Sequence, residues 1–164
     1  MTATESVRAA AGAAHRVVEN FARRTMTDAT LLAETFALLI GARLAVRGLG
    51  VYRSIAVFER LGAQRFGRRL VVGTEARTVA VARAVAARTG ATCVERALLV
   101  WTLLRLRERD ATLCIGFGVV ADRELGQVGG HAWVEVNGAV VDDDAEHVSG
   151  FEVITRHGAQ SGAL

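Results

Sequence analysis

Three kinds of side chain in this sequence are spaced so that they could carry covalent chemistry. They are a thiol at Cys93, an imidazole at His131 and a run of carboxylates at Asp142, Asp143 and Asp144. The thiol comes first in "GATCVERALLVWTLLRLRER", where Thr92 and Glu95 fit the capping box that opens a helix. That pattern predicts Cys93 at the first helical position, beside unsatisfied backbone N–H groups and the positive end of the helix dipole. Such an environment favours thiolate over thiol and can lower a cysteine pKa from about 8.5 towards roughly 3.5–7.5. Histidine is the usual base for a cysteine nucleophile, and a carboxylate then fixes the tautomer and orientation of the ring. Taken singly, each residue also has a plain structural use: a small buried cysteine, a histidine at a strand start, an acidic turn.

"GGHAWVEVNGAVVDDD" supplies the second half. "HAWVEV" predicts a strand, Asn137–Gly138 a two-residue hairpin turn, and "AVVDD" the returning strand. If Val136 faces Ala139, then His131 faces Asp144, and the period of two places Asp142 and Asp144 on the face of His131. A one-residue bulge, frequent beside active sites, would turn Asp143 towards His131 instead. All three aspartates are therefore candidates on geometry alone.

The elements that must position these residues fall into two parts. Residues 1–73 read as helical: 5–24, a helix from about Ala29 to Arg47 with Asp28 as N-cap, and a third from Tyr52 to Leu61, before a connector over 65–73. Residues 74–155 read as a helix to 88, the Cys93 helix to about Arg109, a strand over 111–120, a loop over 121–130, the hairpin, and a strand at 151–154. A flexible tail is expected from Arg156. Helices followed by an antiparallel sheet predict an α+β fold. Cys114 lies within a strand and reads as structural; His147 and His157 read as solvent-facing loop residues.

At 51% hydrophobic and 23% charged, the chain has enough apolar material for a core. Two cysteines give no disulfide framework. All twenty basic residues are arginine and the formal charge is only +3, a bias expected of a GC-rich genome rather than of a nucleic-acid binder. The most apolar stretch, Thr30 to Val46, is broken by Glu34 and Arg43, so no membrane span is expected. The first sixteen residues have no apolar signal region, and a cytoplasmic location is expected.

Together, "ATCVERALLVWTLLRLRERDATLCIGFG" and "HAWVEVNGAVVDDD" resemble the transglutaminase-like, papain-type cysteine proteases. Within that superfamily they resemble the leader peptidases of lasso-peptide biosynthesis, the microcin-processing family of bacteria, over residues 75–155. The resemblance implies a helical N-terminal region before a domain in which the catalytic helix packs on an antiparallel sheet. It implies Cys93 as nucleophile, His131 as base and Asp143 as the acid, with Asp142 as the alternative, and neither metal nor cofactor. The backbone N–H of Cys93 is the expected oxyanion donor. Expected partners are a precursor peptide, a small leader-binding protein and the ring-forming cyclase. Two other classes fit the same residues: an acyltransferase that passes the thioester to an amine, and a non-catalytic peptide-binding module or a zinc site built from Cys93, His131, His147 and an aspartate. Iodoacetamide at neutral pH should label Cys93 much faster than Cys114, as read by peptide mass spectrometry. Equal labelling of the two would remove the case for an activated thiol at Cys93.

Overall fold

The computed structural model describes residues 28–63, 74–119 and 128–158. The expected helix over 5–24 and the connector over 65–73 lie outside them, as does most of the loop expected over 121–130. Among the described residues, four helices precede the sheet: α1 (Asp28–Leu49), α2 (Val51–Ala63), α3 (Glu75–Arg88) and α4 (Cys93–Leu106). Then come β1 (Ala111–Val119), β2 (Val128–Val136), β3 (Ala139–Val140), a short α5 (Ala145–Val148) and β4 (Phe151–His157). The sheet is antiparallel throughout, in the order β3-β2-β1-β4, and the fold is α+β.

α4 is the pivot of the packing. Its run from Ala97 to Leu104 is buried on every side, so it is a core helix rather than one with a single apolar stripe. One side meets α2 and α3, the other meets β1 and β2. Leu98, Val100 and Trp101 join Leu39 and Ala42 of α1, Phe58 of α2, Val79 and Val85 of α3, and Leu113 and Val134 of the sheet in one continuous core. That core runs without a break across residue 73. The opposite face of the sheet carries a smaller cluster of Cys114, Trp133 and Val148, backed by Phe151 and Val153.

α1 is long and apolar enough, by length and composition, to cross a membrane. Its Leu31, Thr35 and Leu39 are nevertheless buried against the domain, while Leu32, Phe36, Ile40 and Leu44 are exposed. The two charges that interrupt its apolar run both point inward. Glu34 takes Arg107 at 2.6 Å, and Arg43 takes Glu95 at 3.2 Å.

Several boundaries differ from the sequence expectation. α4 stops at Leu106 rather than Arg109, because Glu108 turns to φ 56. β2 starts at Val128, not His131: residues 128–130 pair with Phe117, Gly118 and Val119 of β1 and so are strand, not loop. β4 runs on through Arg156 and His157, which pair with Cys114 and Leu113, so the tail does not begin at Arg156. The third strand shrinks to two residues, and α5 takes up the chain that follows. Gly116 marks the tightest backbone approach beside the site. It lies opposite His131 in the ladder, and a Cβ there would sit 2.5 Å from the Glu152 carbonyl and 2.9 Å from the Trp133 ring.

Candidate active site

Cys93 opens α4 under a complete capping box. Thr92 Oγ1 accepts from the Glu95 N–H at 3.3 Å, and Glu95 Oε2 accepts from the Thr92 N–H at 3.1 Å. Arg43 of α1 clamps this end from outside, donating to Glu95 Oε2 at 3.2 Å and to the Thr89 carbonyl at 2.6 Å. The helix start that carries the thiol is therefore fixed by its own cap and by a neighbouring helix.

The hairpin delivers the other two groups. Asn137 and Gly138 take φ of 51° and 78°, the left-handed pair of a type I′ turn, and Val136 faces Ala139. Regular pairing ends after Glu135–Val140. The Val141 N–H still donates to the Val134 carbonyl at 3.0 Å, but the Val134 N–H donates to Asp142 Oδ1 at 2.7 Å. In an unbroken ladder a strand carbonyl would accept that bond. A side-chain carboxylate takes its place, the chain leaves the sheet, and Asp143 turns to His131, with Oδ2 2.7 Å from Nε2. Simple strand parity favours Asp142 or Asp144 here. The structure instead buries Asp142 completely on the β2 backbone and leaves Asp144 exposed, capping α5 through the Glu146 N–H at 2.9 Å.

β3 is so short that β2 has no described strand partner on that side beyond Glu135. Cys93 and Asp143 meet His131 along this open edge. Because Nε2 of His131 is held by Asp143, Nδ1 is the nitrogen left for the thiol. His131 and the N–H groups of Ala132 and Val94 act on the Cys93 sulfur and favour its thiolate. Burial disfavours the thiolate, but the His131 hydrogen bond and charge and those two N–H groups outweigh it and hold the Cys93 pKa below its ordinary value. The bond to Cys93 is the main reason the His131 pKa is raised; burial opposes it and Asp143 adds to it. Burial likewise pushes against ionisation of Asp143, and the Asp144 N–H, His131 and Arg96 overcome it and hold its pKa low. The directions of the shifts all favour a thiolate–imidazolium pair backed by a carboxylate.

The surroundings confine the imidazole. Its ring lies 4.8 Å from that of Phe151 at 28°, and the His147 ring meets it edge-on at 5.0 Å. His147 is exposed, as the sequence suggests, but it sits on α5 against the site; His157 is part of β4. Cys114 is fully buried beside Arg156, and its thiol is pushed up to about 12 by burial and by the charge of Glu135. That is the profile of an inert strand cysteine. His131, Asp143 and His147 each offer one donor atom within 4.8 Å of the others. Cys93 is not in that set, and a closed zinc site wants four ligands. Arg96 was not singled out in the sequence. It reaches Asp143 Oδ2 directly and places Nε 3.5 Å from Asp142 Oδ2. The Arg at the fourth position of "CVER" shares a helix face with Cys93, and that spacing was the signal available.

A thiol at a capped helix start, an imidazole on the adjoining strand and a carboxylate past the hairpin make a site for nucleophilic acyl chemistry. The chain belongs to the transglutaminase-like superfamily, whose family profile matches residues 36–156. Such a domain fits a papain-like cysteine protease or acyltransferase. No curated protein and no solved structure matches the chain. The match begins inside α1 and ends inside β4.

The three aspartates should separate cleanly on substitution. Asp143→Ala should lower turnover about 10²–10⁴-fold with the fold intact, the share expected of an oriented acid–base group. Asp144→Ala should leave turnover near wild type. Asp142→Ala should instead lower thermal stability, by about 1–3 kcal/mol, because it leaves a buried N–H unpaired. Turnover and melting temperature measured side by side decide it; full activity in Asp143→Ala would contradict the assignment.

Proposed function

We propose that this chain is a cytoplasmic bacterial cysteine peptidase that removes the leader from a lasso-peptide precursor, working through Cys93, His131 and Asp143. The observation that carries the proposal is the pairing of His131 Nε2 with Asp143 Oδ2 at 2.7 Å, with the same imidazole acting on the Cys93 thiol to favour its thiolate. The choice of a lasso-peptide leader as substrate rests on the resemblance of the Cys93 and His131 stretches to that family. The partners it brings are the precursor, a small leader-binding protein and the ring-forming cyclase.

The steps follow from the groups present. The Cys93 thiolate attacks the carbonyl carbon at the leader–core junction, and the C=O π pair moves to oxygen. The N–H of Cys93, at a helix position that has no intrahelical partner, donates to that oxyanion. His131 gives its proton to the departing amine nitrogen as the C–N bond breaks, leaving a thioester and a free core peptide. Neutral His131 then takes a proton from water, the hydroxide adds to the thioester, and the leader acid leaves as the thiolate is restored. Asp143 stays ionised throughout and holds the ring.

Incubation with a cognate precursor peptide and its leader-binding partner, followed by mass spectrometry, should show two fragments whose masses sum to precursor plus one water. Cys93→Ala should yield neither. Product in which the leader carries an added amine instead of water would assign the chain to the acyltransferases, and cleavage that survives Cys93→Ala would end the peptidase reading.

A further inference from the structure

Arg96 takes no part in the steps above, yet it joins the helix of the nucleophile to both Asp142 and Asp143. It lies one turn along α4 from Cys93, on the same face. Its Nη2 reaches Asp143 Oδ2, the oxygen that also holds His131, while its Nε faces Asp142 Oδ2 at 3.5 Å. Asp143 Oδ1 accepts the Asp144 N–H at 2.8 Å, and Asp142 Oδ1 accepts the Val134 N–H at 2.7 Å. Both oxygens of each carboxylate are therefore engaged. Without Arg96, the Asp143 carboxylate would be held by one backbone donor and His131 alone.

Resting on the Cys93–His131–Asp143 reading, we propose that Arg96, anchored from behind by Asp142, is a positioning residue that fixes the Asp143 carboxylate on His131 Nε2. Two observations favour this role over a simple surface ion pair. Asp142 is completely buried, and neither the Nε of Arg96 nor Oδ2 of Asp142 makes a hydrogen bond, so the 3.5 Å ion pair is what each of these buried atoms faces. The planar guanidinium spans two carboxylates at fixed angles, which a lysine ammonium cannot do. Burial raises the Asp142 pKa to about 6, against the pull of the Val134 N–H and Arg96. The anchor therefore weakens below that pH. The charged and titratable groups facing Asp143 are Arg96 from α4, His131 from β2, Asp142 and Asp144 on its own segment, and His147 from α5.

The test needs no peptide substrate. The rate of Cys93 alkylation by iodoacetamide is measured against pH in the full chain, with Cys114→Ser to remove the second thiol. The wild-type background should stay reactive well below the pH at which an ordinary thiol falls silent. In Arg96→Ala and in the near-isosteric Arg96→Gln, a loosened Asp143 should let His131 drift, and the acid limb should move up. Reactivity at mildly acidic pH should fall about tenfold or more, the scale of losing a charged hydrogen bond. Arg96→Lys should restore part of it, because charge returns without the fork. Asp142→Asn, which leaves Arg96 in place but removes its anchor, should shift the limb in the same direction by less. Melting curves confirm folding, and where the alanine variant does not fold, the glutamine and asparagine variants carry the result. An unshifted limb in folded Arg96→Gln, or full restoration by lysine, overturns the positioning role while leaving the triad standing. A background protein whose Cys93 titrates as an ordinary thiol overturns the triad, and this role with it.

Discussion

One carboxylate oxygen, Oδ2 of Asp143, accepts from both His131 and Arg96, and the arrangement of the domain serves that meeting. The three residues come from three elements: His131 from β2, Arg96 from α4 and Asp143 from the turn after β3. Each element is fixed separately. α4 is buried between helices and sheet, its start is capped by Thr92 and clamped by Arg43, and β2 is held over nine residues by β1. Asp143 has no ladder of its own and is held by what it touches. That is why its neighbours matter more than its place in the sequence.

Burial sets the electrostatic problem and hydrogen bonding solves it. Taking a thiol or a carboxyl out of water favours the neutral form. For Cys93 and Asp143 that penalty is outweighed, by His131 and backbone N–H groups in the first case and by the Asp144 N–H, His131 and Arg96 in the second. For Asp142 it is not, and its pKa rises to about 6. Cys114 shows burial winning: Arg156 Nη1 donates to its sulfur at 3.3 Å, yet burial and the charge of Glu135 push the thiol up to about 12. The two cysteines thus differ because the groups that favour the thiolate outweigh burial at Cys93 and do not at Cys114. Asp143 also lends stability. Its folded pKa lies below the unfolded value, so the stabilisation is present above the unfolded carboxyl pKa and is lost as pH falls through the lowered one.

Much of this could be read from the sequence, and the parts that could not share a cause. "TCVE" gives the helix start because a capping box is local, needing only Thr92 and Glu95 at the right spacing. Asn137–Gly138 gives the hairpin and its register for the same reason. Parity fails past Val140 because a side chain, Asp142, replaces a main-chain acceptor, and a pattern of apolar residues carries no trace of that exchange. The extra length of β2 and β4 depends on partners in β1 far along the chain. Arg43 and Arg107, which tie α1 to α4, look like any of the other arginines until the helices are placed together.

The central claim is that thiol, imidazole and carboxylate behave as one unit, with Cys93 the largest influence on His131. The most direct measurement is the imidazole pKa of His131, followed by nitrogen-detected NMR, in the wild-type chain and in Cys93→Ala. The account predicts a value above the ordinary histidine value of about 6.5 in the wild type and a clear fall when the thiol is removed. An identical titration in the two proteins would contradict it.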